Sequence, residues 1–399
     1  MSRQPSALAV ASAGIGVVGT AYGMARYGYG LLLPDIRRDY GLSTAVLGAI
    51  AGGSSASYLA GSVVVGALAG RVGLRLLVLI GGACGVAGMV LAGLSSSPGM
   101  LVAGVLVAGV SAAFALPPFT DAVEACLAPE RRARTLAGIS SGTGWGVVLA
   151  APLAVAVGSA WRSAWLAFAA VAVLTTAWAL HVLPSGGRGG GAHAAVPRVR
   201  LRWFVCPRSG PLLAGALLVG LGASLYWTFA VDFLVTGGAL DPSSGRLFLV
   251  LVGVAGVVGT GAGELVERLG SRLAFAALSW ALALSLALLA LASDTPALAV
   301  VSGVLFGGAY NLVVAIQCLW SVRVFADRPG TGIAAVMFIL GGGLLVGPLA
   351  AGPLAGVAGI QGAFAAAAGV LALTALLAPR ESVTAARVSR TAAACSRAP

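Results

Sequence analysis

Arg26 lies 18 residues into a long apolar run that begins at Leu8. At 1.5 Å per residue, that puts it roughly two thirds of the way across a hydrocarbon layer. An arginine at such depth costs at least ~2.5–3.5 kcal/mol on insertion scales and turns toward protein or water. Its planar fork suits a carboxylate or a phosphate, and Tyr22 and Tyr29 share its helical face at i−4 and i+3. Two readings stand open. Arg26 either binds an anion or is structural, paired inside the protein or snorkelling toward headgroups about two turns away. Asp232, with Thr228 one turn before it, is a candidate coupling carboxylate or a helix end meeting water. An Arg26–Asp232 pair would respond to protonation.

Asp121 and Glu124 lie three residues apart on one helical face. They read as gating acids able to pair with Arg71 or Arg75, with Asp121 also a site for proton coupling. A static surface bridge worth ~0–1 kcal/mol is the alternative. Trp145, Tyr226, Trp227, Tyr310, Asn311 and Gln317 fall near the middle of predicted spans. Amides at that depth need a protein or water partner. An interhelical hydrogen bond of ~0.6 kcal/mol accounts for them as well as a binding cavity does. The aromatic residues serve packing equally well.

Several motifs carry no chemistry here. Gly14-Ile-Gly16-Val-Val-Gly19 has the spacing of a dinucleotide fingerprint but no strand before it. Gly138-Ile-Ser140-Ser-Gly142 imitates a nucleophile elbow without a sheet to strain it, and neither His181 nor His193 is placed to serve as its base. The chain has no lysine, hence no phosphate-loop lysine, and self-powered ATP-driven transport is excluded. The five cysteines, Cys84, Cys126, Cys206, Cys318 and Cys395, form no CxxC pair, so neither a disulfide framework nor a metal site is expected. No cofactor is implied, and the chain does not read as an enzyme.

The elements that must position these residues follow from composition. Hydrophobic residues make up 59% and charged residues 9%, against about 25% charge in soluble domains. Mean hydropathy is +1.00. The apolar runs reach the ~20 residues needed to cross a bilayer. Predicted spans are 8–33, 44–69, 75–94, 100–126, 135–157 and 162–183, then 211–236, 246–265, 272–292, 297–322, 330–352 and 360–378. The first is too long for a signal h-region of about 7–15 residues and reads as a retained helix. Turn-rich breaks are expected at 34–43, 95–99 and 294–296. The stretch 184–210 is a glycine-rich, basic linker, giving units 1–183 and 211–378 and a tail 379–399.

Nineteen of the 24 arginines fall in every second gap between these spans. The alternate gaps hold only Arg37, Arg38, Arg162 and Arg246. By the positive-inside rule, both termini, the linker and the arginine-rich gaps are cytoplasmic. A net charge of +12 raises the question of nucleic acid, but the arginines are scattered at helix ends and form no single basic face. Anionic headgroups are their expected partners.

The two halves repeat. Gly66, Arg71, Gly73 and Arg75 recur 197 positions later as Gly263, Arg268, Gly270 and Arg272. At the same offset Asp35 meets Asp232, Tyr29 meets Tyr226, and Glu130-Arg131 meets Asp327-Arg328. Parallel six-helix repeats are a transporter architecture.

On these residues the chain, from Leu8 to about Ala378, resembles the major facilitator superfamily (MFS). The superfamily signature G-x-x-x-D-R-x-G-R-R/K reads here Gly66-Ala-Leu-Ala-Gly70-Arg71-Val-Gly73-Leu74-Arg75, with Gly70 replacing the aspartate. The second copy keeps an acid there, Glu267, with Glu264 beside it. Pro129-Glu130-Arg131-Arg132 and Trp161-Arg162 are also similar to the superfamily. Arg26-Tyr27-x-Tyr29 with Leu32-Leu33-Pro34 is similar to a poorly characterised bacterial branch. Gly138-x-x-x-Gly142-Thr143-Gly144-Trp145-Gly146 only partly resembles an exporter signature: Thr143 stands for its proline and Val147 for its last glycine. Val105 replaces the arginine expected in the fourth helix of drug–proton antiporters.

The resemblance implies an all-α membrane fold of twelve helices in two six-helix bundles. It further implies a central cavity partly lined by the first helix, and gates built from Gly66, Arg71, Gly73, Arg75, Glu124 and Arg131 in one half. Glu267, Arg268 and Arg272 would form the counterpart in the other. The function expected is secondary transport of a small organic solute, preferentially anionic. It would run by alternating access and be proton-coupled, in the cytoplasmic membrane and as a monomer. Efflux of hydrophobic drugs or natural products is the alternative. A non-transporting sensor or scaffold is the alternative of another class.

Overall fold

A computed structural model of the protein describes residues 6–68, 71–184, 209–258, 262–326 and 328–379. The expected linker, most of the tail, Arg3, Gly70, Asp327, His193, Cys206 and Cys395 lie outside the described residues. Within that range the chain is helical apart from short connections. The helices are α1 (Ala7–Tyr40), α2 (Thr44–Leu68), α3 (Leu74–Gly93), α4 (Pro98–Cys126), α5 (Pro129–Ala156) and α6 (Trp161–Val182). The second half holds α7 (Ser209–Thr236), α8 (Pro242–Val258), α9 (Ala262–Ala290) and α10 (Pro296–Val324). A final run, Pro329–Thr374, is folded at Gly359 (φ 70°) into α11 (329–358) and α12 (360–374). Ten runs are long and apolar enough to cross a membrane. Counting the folded run as two and adding the shorter α8 accommodates twelve crossings.

The expected break at 34–43 is displaced. α1 carries Pro34 inside it and ends at Tyr40, where Gly41 turns the chain at φ 62°. Ion pairs from Asp35, Arg37 and Arg38 hold these roughly two extra turns in place. α1 is also not uniform. Ala7–Val18 is α-helical, Gly19–Arg26 is a π-helix, and Gly28–Tyr40 is α-helical again. The Tyr27 N–H donates to the Tyr22 carbonyl at 2.9 Å, the five-residue step that marks the π segment. α4 is likewise interrupted, by a 3-10 turn at Ala112–Phe114 ahead of Pro117.

Small residues set the packing, as expected where lipid offers no hydrophobic drive. A Cβ on Gly23 would stand 2.5 Å from the Gly146 backbone, so α1 and α5 cross in contact there. The 197-residue repeat reproduces that crossing in the second half, where Gly220 of α7 meets Gly343 of α11. Between the halves, Gly144 of α5 meets Gly253 and Val257 of α8. Its repeat mate Gly341 of α11 meets Tyr58 and Leu59 of α2. α1 and α7 touch at Gly30, where a Cβ would lie 2.1 Å from the Trp227 carbonyl. Gly30 and Trp227 occupy the same position of the two repeats. The duplication read in the sequence is therefore a duplication of helix contacts.

Candidate functional site

The π segment ends on Arg26 and aims it into a cleft between the halves. Lining that cleft are Arg26, Tyr27 and Tyr29 of α1, Ser55 of α2, and Trp227 and Thr228 of α7. Arg26 is half-buried. Its Nη2 donates to Ser55 Oγ at 3.3 Å, and its guanidinium carbon stands 4.5 Å over the Tyr58 ring. Among the described residues no carboxylate pairs with it. Tyr22 meets Tyr58 edge-on at 6.3 Å. From the other half, Trp227 stacks on Tyr27 at 4.2 Å, and Tyr310 meets Trp227 edge-on at 5.9 Å. Arg26, Tyr22, Tyr27, Tyr58, Trp227 and Tyr310 thus form one cluster drawn from both halves.

Other candidates lie elsewhere. Tyr29 is buried, and its hydroxyl donates to the Leu47 carbonyl at 3.1 Å. Tyr226 is fully buried inside the second half, stacked on Phe306 at 3.8 Å and bonded to Ser302 at 2.9 Å. Trp145 is 46% exposed and shares its stripe of α5 with the equally exposed Leu149. α5 spends Gly142 and Gly146 on α1 and Gly144 on α8, which turns Trp145 away from the cleft. Asn311 is exposed on the stripe of α10 that carries Val304, its amide donating to the Gly256 carbonyl at 3.4 Å. Gln317 is fully buried beside Gly215 and Thr374, and neither amide atom has a partner. Helical phase decides these outcomes: one residue more or less rotates a side chain by 100° and out of the cleft.

At one end of the bundle, ion pairs tie the halves together. Asp232 pairs with Arg37 at 2.7 Å, and Arg37 also donates to Thr44 Oγ1 at 3.3 Å. Asp35 pairs with Arg246 at 2.6 Å, both side chains being no more than 5% exposed, and with Arg38 at 2.5 Å. The expected Arg26–Asp232 pair is therefore absent. Asp232 is the repeat mate of Asp35, nine residues past Arg26, and so lies roughly 13 Å further along the axis. Arg162 knits α1, α3 and α6 within the first half. It pairs with Asp39 at 2.6 Å, donates to the Ser95 carbonyl at 2.8 Å and to the Tyr40 hydroxyl at 3.0 Å.

At the opposite end none of the salt bridges found among the described residues joins the halves. Gly66, Gly138 and Gly330 there have no neighbouring atom within 4 Å of where a Cβ would stand, and the same holds for Gly41, Gly99, Gly158 and Gly238 at the paired end. Arg71, Arg131, Glu124, Glu267 and Arg272 are exposed, and Asp121 and Gly73 are half-buried. The Arg75 Nε donates to the Leu183 carbonyl at 2.7 Å, tying α3 to the end of α6. The Glu124 carbonyl accepts from Arg132 at 2.8 Å. Glu264 and Arg268 form an exposed i, i+4 pair on α9.

Sequence reasoning missed Tyr27, Ser55 and Tyr58 around Arg26. For Tyr27 a signal existed: it adjoins Arg26 and opens the Tyr27-x-Tyr29 motif. Arg37 and Arg246 read only as exceptions to the arginine bias and Asp35 only as the repeat mate of Asp232, and the pairing of these arginines with the two aspartates had no sequence signal.

Comparisons place this geometry among known proteins. Residues 15–274 match the model of the Major Facilitator Superfamily. The chain is 29% identical over 253 residues to the transcription regulatory protein OpdE of Pseudomonas aeruginosa. That alignment spans about 61% of each protein. In fold the chain is similar to the nucleoside transporter NupG, with a TM-score of 0.76, 14% identity, and 92% and 97% of the two chains covered. It is also similar to a bacterial homologue of the human lysosomal transporter Spinster in an inward-facing, unoccupied conformation. There the TM-score is 0.66 at 16% identity, over 92% and 94% of the chains. These multi-pass helices, repeated about α1 and α7, belong to the Major Facilitator Superfamily.

Proposed function

We propose that the chain is a secondary active transporter that moves a small organic anion across the cytoplasmic membrane by alternating access, with Arg26 as the anion contact. The observation that carries this reading is Arg26 itself. It is a guanidinium at membrane depth with no carboxylate partner among the described residues, facing a cleft shared by both halves. Such a charge is retained at a cost that structure alone does not require. The arginine bias orients the paired end outward. On this reading the outward end is the closed one, held by Asp35–Arg246 and Arg37–Asp232.

In the outward-open state these pairs separate, and the cytoplasmic ends close on Arg71, Arg75, Arg131, Arg268 and Arg272 with Glu124 and Glu267. A proton gradient drives the cycle: protonation of Asp232 releases Arg37, and Asp121 is a second proton site on the cytoplasmic side. The Tyr27–Trp227 stack, made across the halves, would break as they separate.

The test is uptake of organic anions into proteoliposomes. Arg26→Ala should abolish flux while the protein still inserts and stays folded. Equal flux in the variant would remove Arg26 from the site. One observation favours a second reading, a membrane-embedded sensor: the name of the relative OpdE assigns it to transcriptional regulation. On that reading the same cleft would bind its ligand without any flux, and deleting the gene would change transcript levels.

A further inference from the structure

We infer that the cleft takes a monoanionic ligand with a flat aromatic body, an arene carboxylate. This deepens the transport reading and rests on its assignment of Arg26. The argument starts from charge. Arg26 is the single formally charged residue lining the cleft. The nearest other charges along α1 and α7, Asp35 and Asp232, are already paired, with Arg246 at 2.6 Å and with Arg37 at 2.7 Å. A ligand with one negative charge balances the site. A dianion leaves one charge without a partner, and the ammonium of an amino acid finds no carboxylate. Each case desolvates an ion without compensation.

Hydrogen-bond supply points the same way. A guanidinium carries five N–H donors, and among the described residues Arg26 donates one hydrogen bond, to Ser55 Oγ at 3.3 Å. The Trp227 Nε1 is buried with no acceptor. Donors are in surplus, so the ligand must bring acceptors, as a carboxylate does.

The walls then select the body. Tyr27, Tyr29 and Trp227 line the cleft with Arg26, and the Tyr58 ring lies 4.5 Å from the guanidinium carbon; behind them Tyr22 meets Tyr58 at 6.3 Å and Tyr310 meets Trp227 at 5.9 Å. Ring edges and faces at this spacing accept another ring in stacked or edge-on contact. The Tyr27–Trp227 stack spans both halves, so a ring that enters beside it engages both at once. That gives the ligand the differential contact with the two conformations that alternating access requires.

The experiment is calorimetric titration of the full-length protein in detergent with five probes: benzoate, cyclohexanecarboxylate, phthalate, phenylalanine and uridine. Benzoate should bind tightest. Arg26→Ala should weaken it by at least about tenfold, the weight of a charged hydrogen bond. Arg26→Lys, which keeps the charge but not the fork, should also weaken it and controls for folding. Tyr27→Leu should cost benzoate up to about tenfold, the size of a ring contact, while Tyr27→Phe should not. Equal binding of benzoate and cyclohexanecarboxylate would overturn the aromatic class and leave the anion site standing. Tighter binding of phthalate or phenylalanine would overturn the single-charge argument. Benzoate binding unchanged in Arg26→Ala, or uridine binding alone, would overturn the Arg26 assignment itself.

Discussion

Arg26 and Gln317 show how differently two polar residues at membrane depth can be used. Arg26 keeps most of its donors unspent beside a cleft, whereas Gln317 is sealed in the second half with both amide atoms unpartnered. A buried unpaired polar group costs about 1–3 kcal/mol. Gln317→Met, close in shape, should therefore raise the thermal midpoint and leave flux intact. Flux lost without any gain in stability would return Gln317 to the site. Arg26 was legible in the sequence because a lone arginine in an apolar run has few explanations. Its neighbours Ser55 and Tyr58 were not, since their approach depends on how α2 rotates against α1. Asp232 was legible as important but not as Arg37's partner: its level along the axis became clear only from the crossing of α1 and α7 at Gly30 and Trp227.

At the scale of elements, α1 stands out because its π segment both carries the charge and packs backbone to backbone on α5. Gly23 touches the Gly146 backbone, and backbone cannot swing aside as a side chain can. Gly23→Ala should destabilise the protein by about 1–3 kcal/mol through overpacking and displace Arg26 enough to weaken anion binding. Gly66→Ala, which meets open space, should change stability by no more than about 0.5 kcal/mol. If it nonetheless slows flux, Gly66 acts when that end closes, as the gating proposal requires. Thermal unfolding and uptake measured side by side separate these outcomes. Most spans were readable from hydropathy alone. The π segment and the passage of α1 through Pro34 were not, because both depend on contacts with other helices: α5 for the first, α7 and α8 for the second.

For the whole molecule, the repeat offset carried the most information. It placed Asp35 opposite Asp232, and the structure gives each of them an arginine from the other half. The sequence could not show which end of the bundle closes, because the same chain must close either end. Removing one partner of a buried pair costs about 3–5 kcal/mol, so Arg246→Ala should shift the balance toward the state open at that end. The double variant Asp35→Arg with Arg246→Asp should restore it in part. The most direct test of alternating access is a pair of distances in the lipid-reconstituted protein. Spin labels would span α1 and α7 beyond Arg37 at one end, and α2 and α11 near Gly66 and Gly330 at the other. On adding benzoate, the populations at the two ends should move in opposite directions, and Arg26→Ala should abolish the response. Labels that do not move, or ends that open together, would contradict the account.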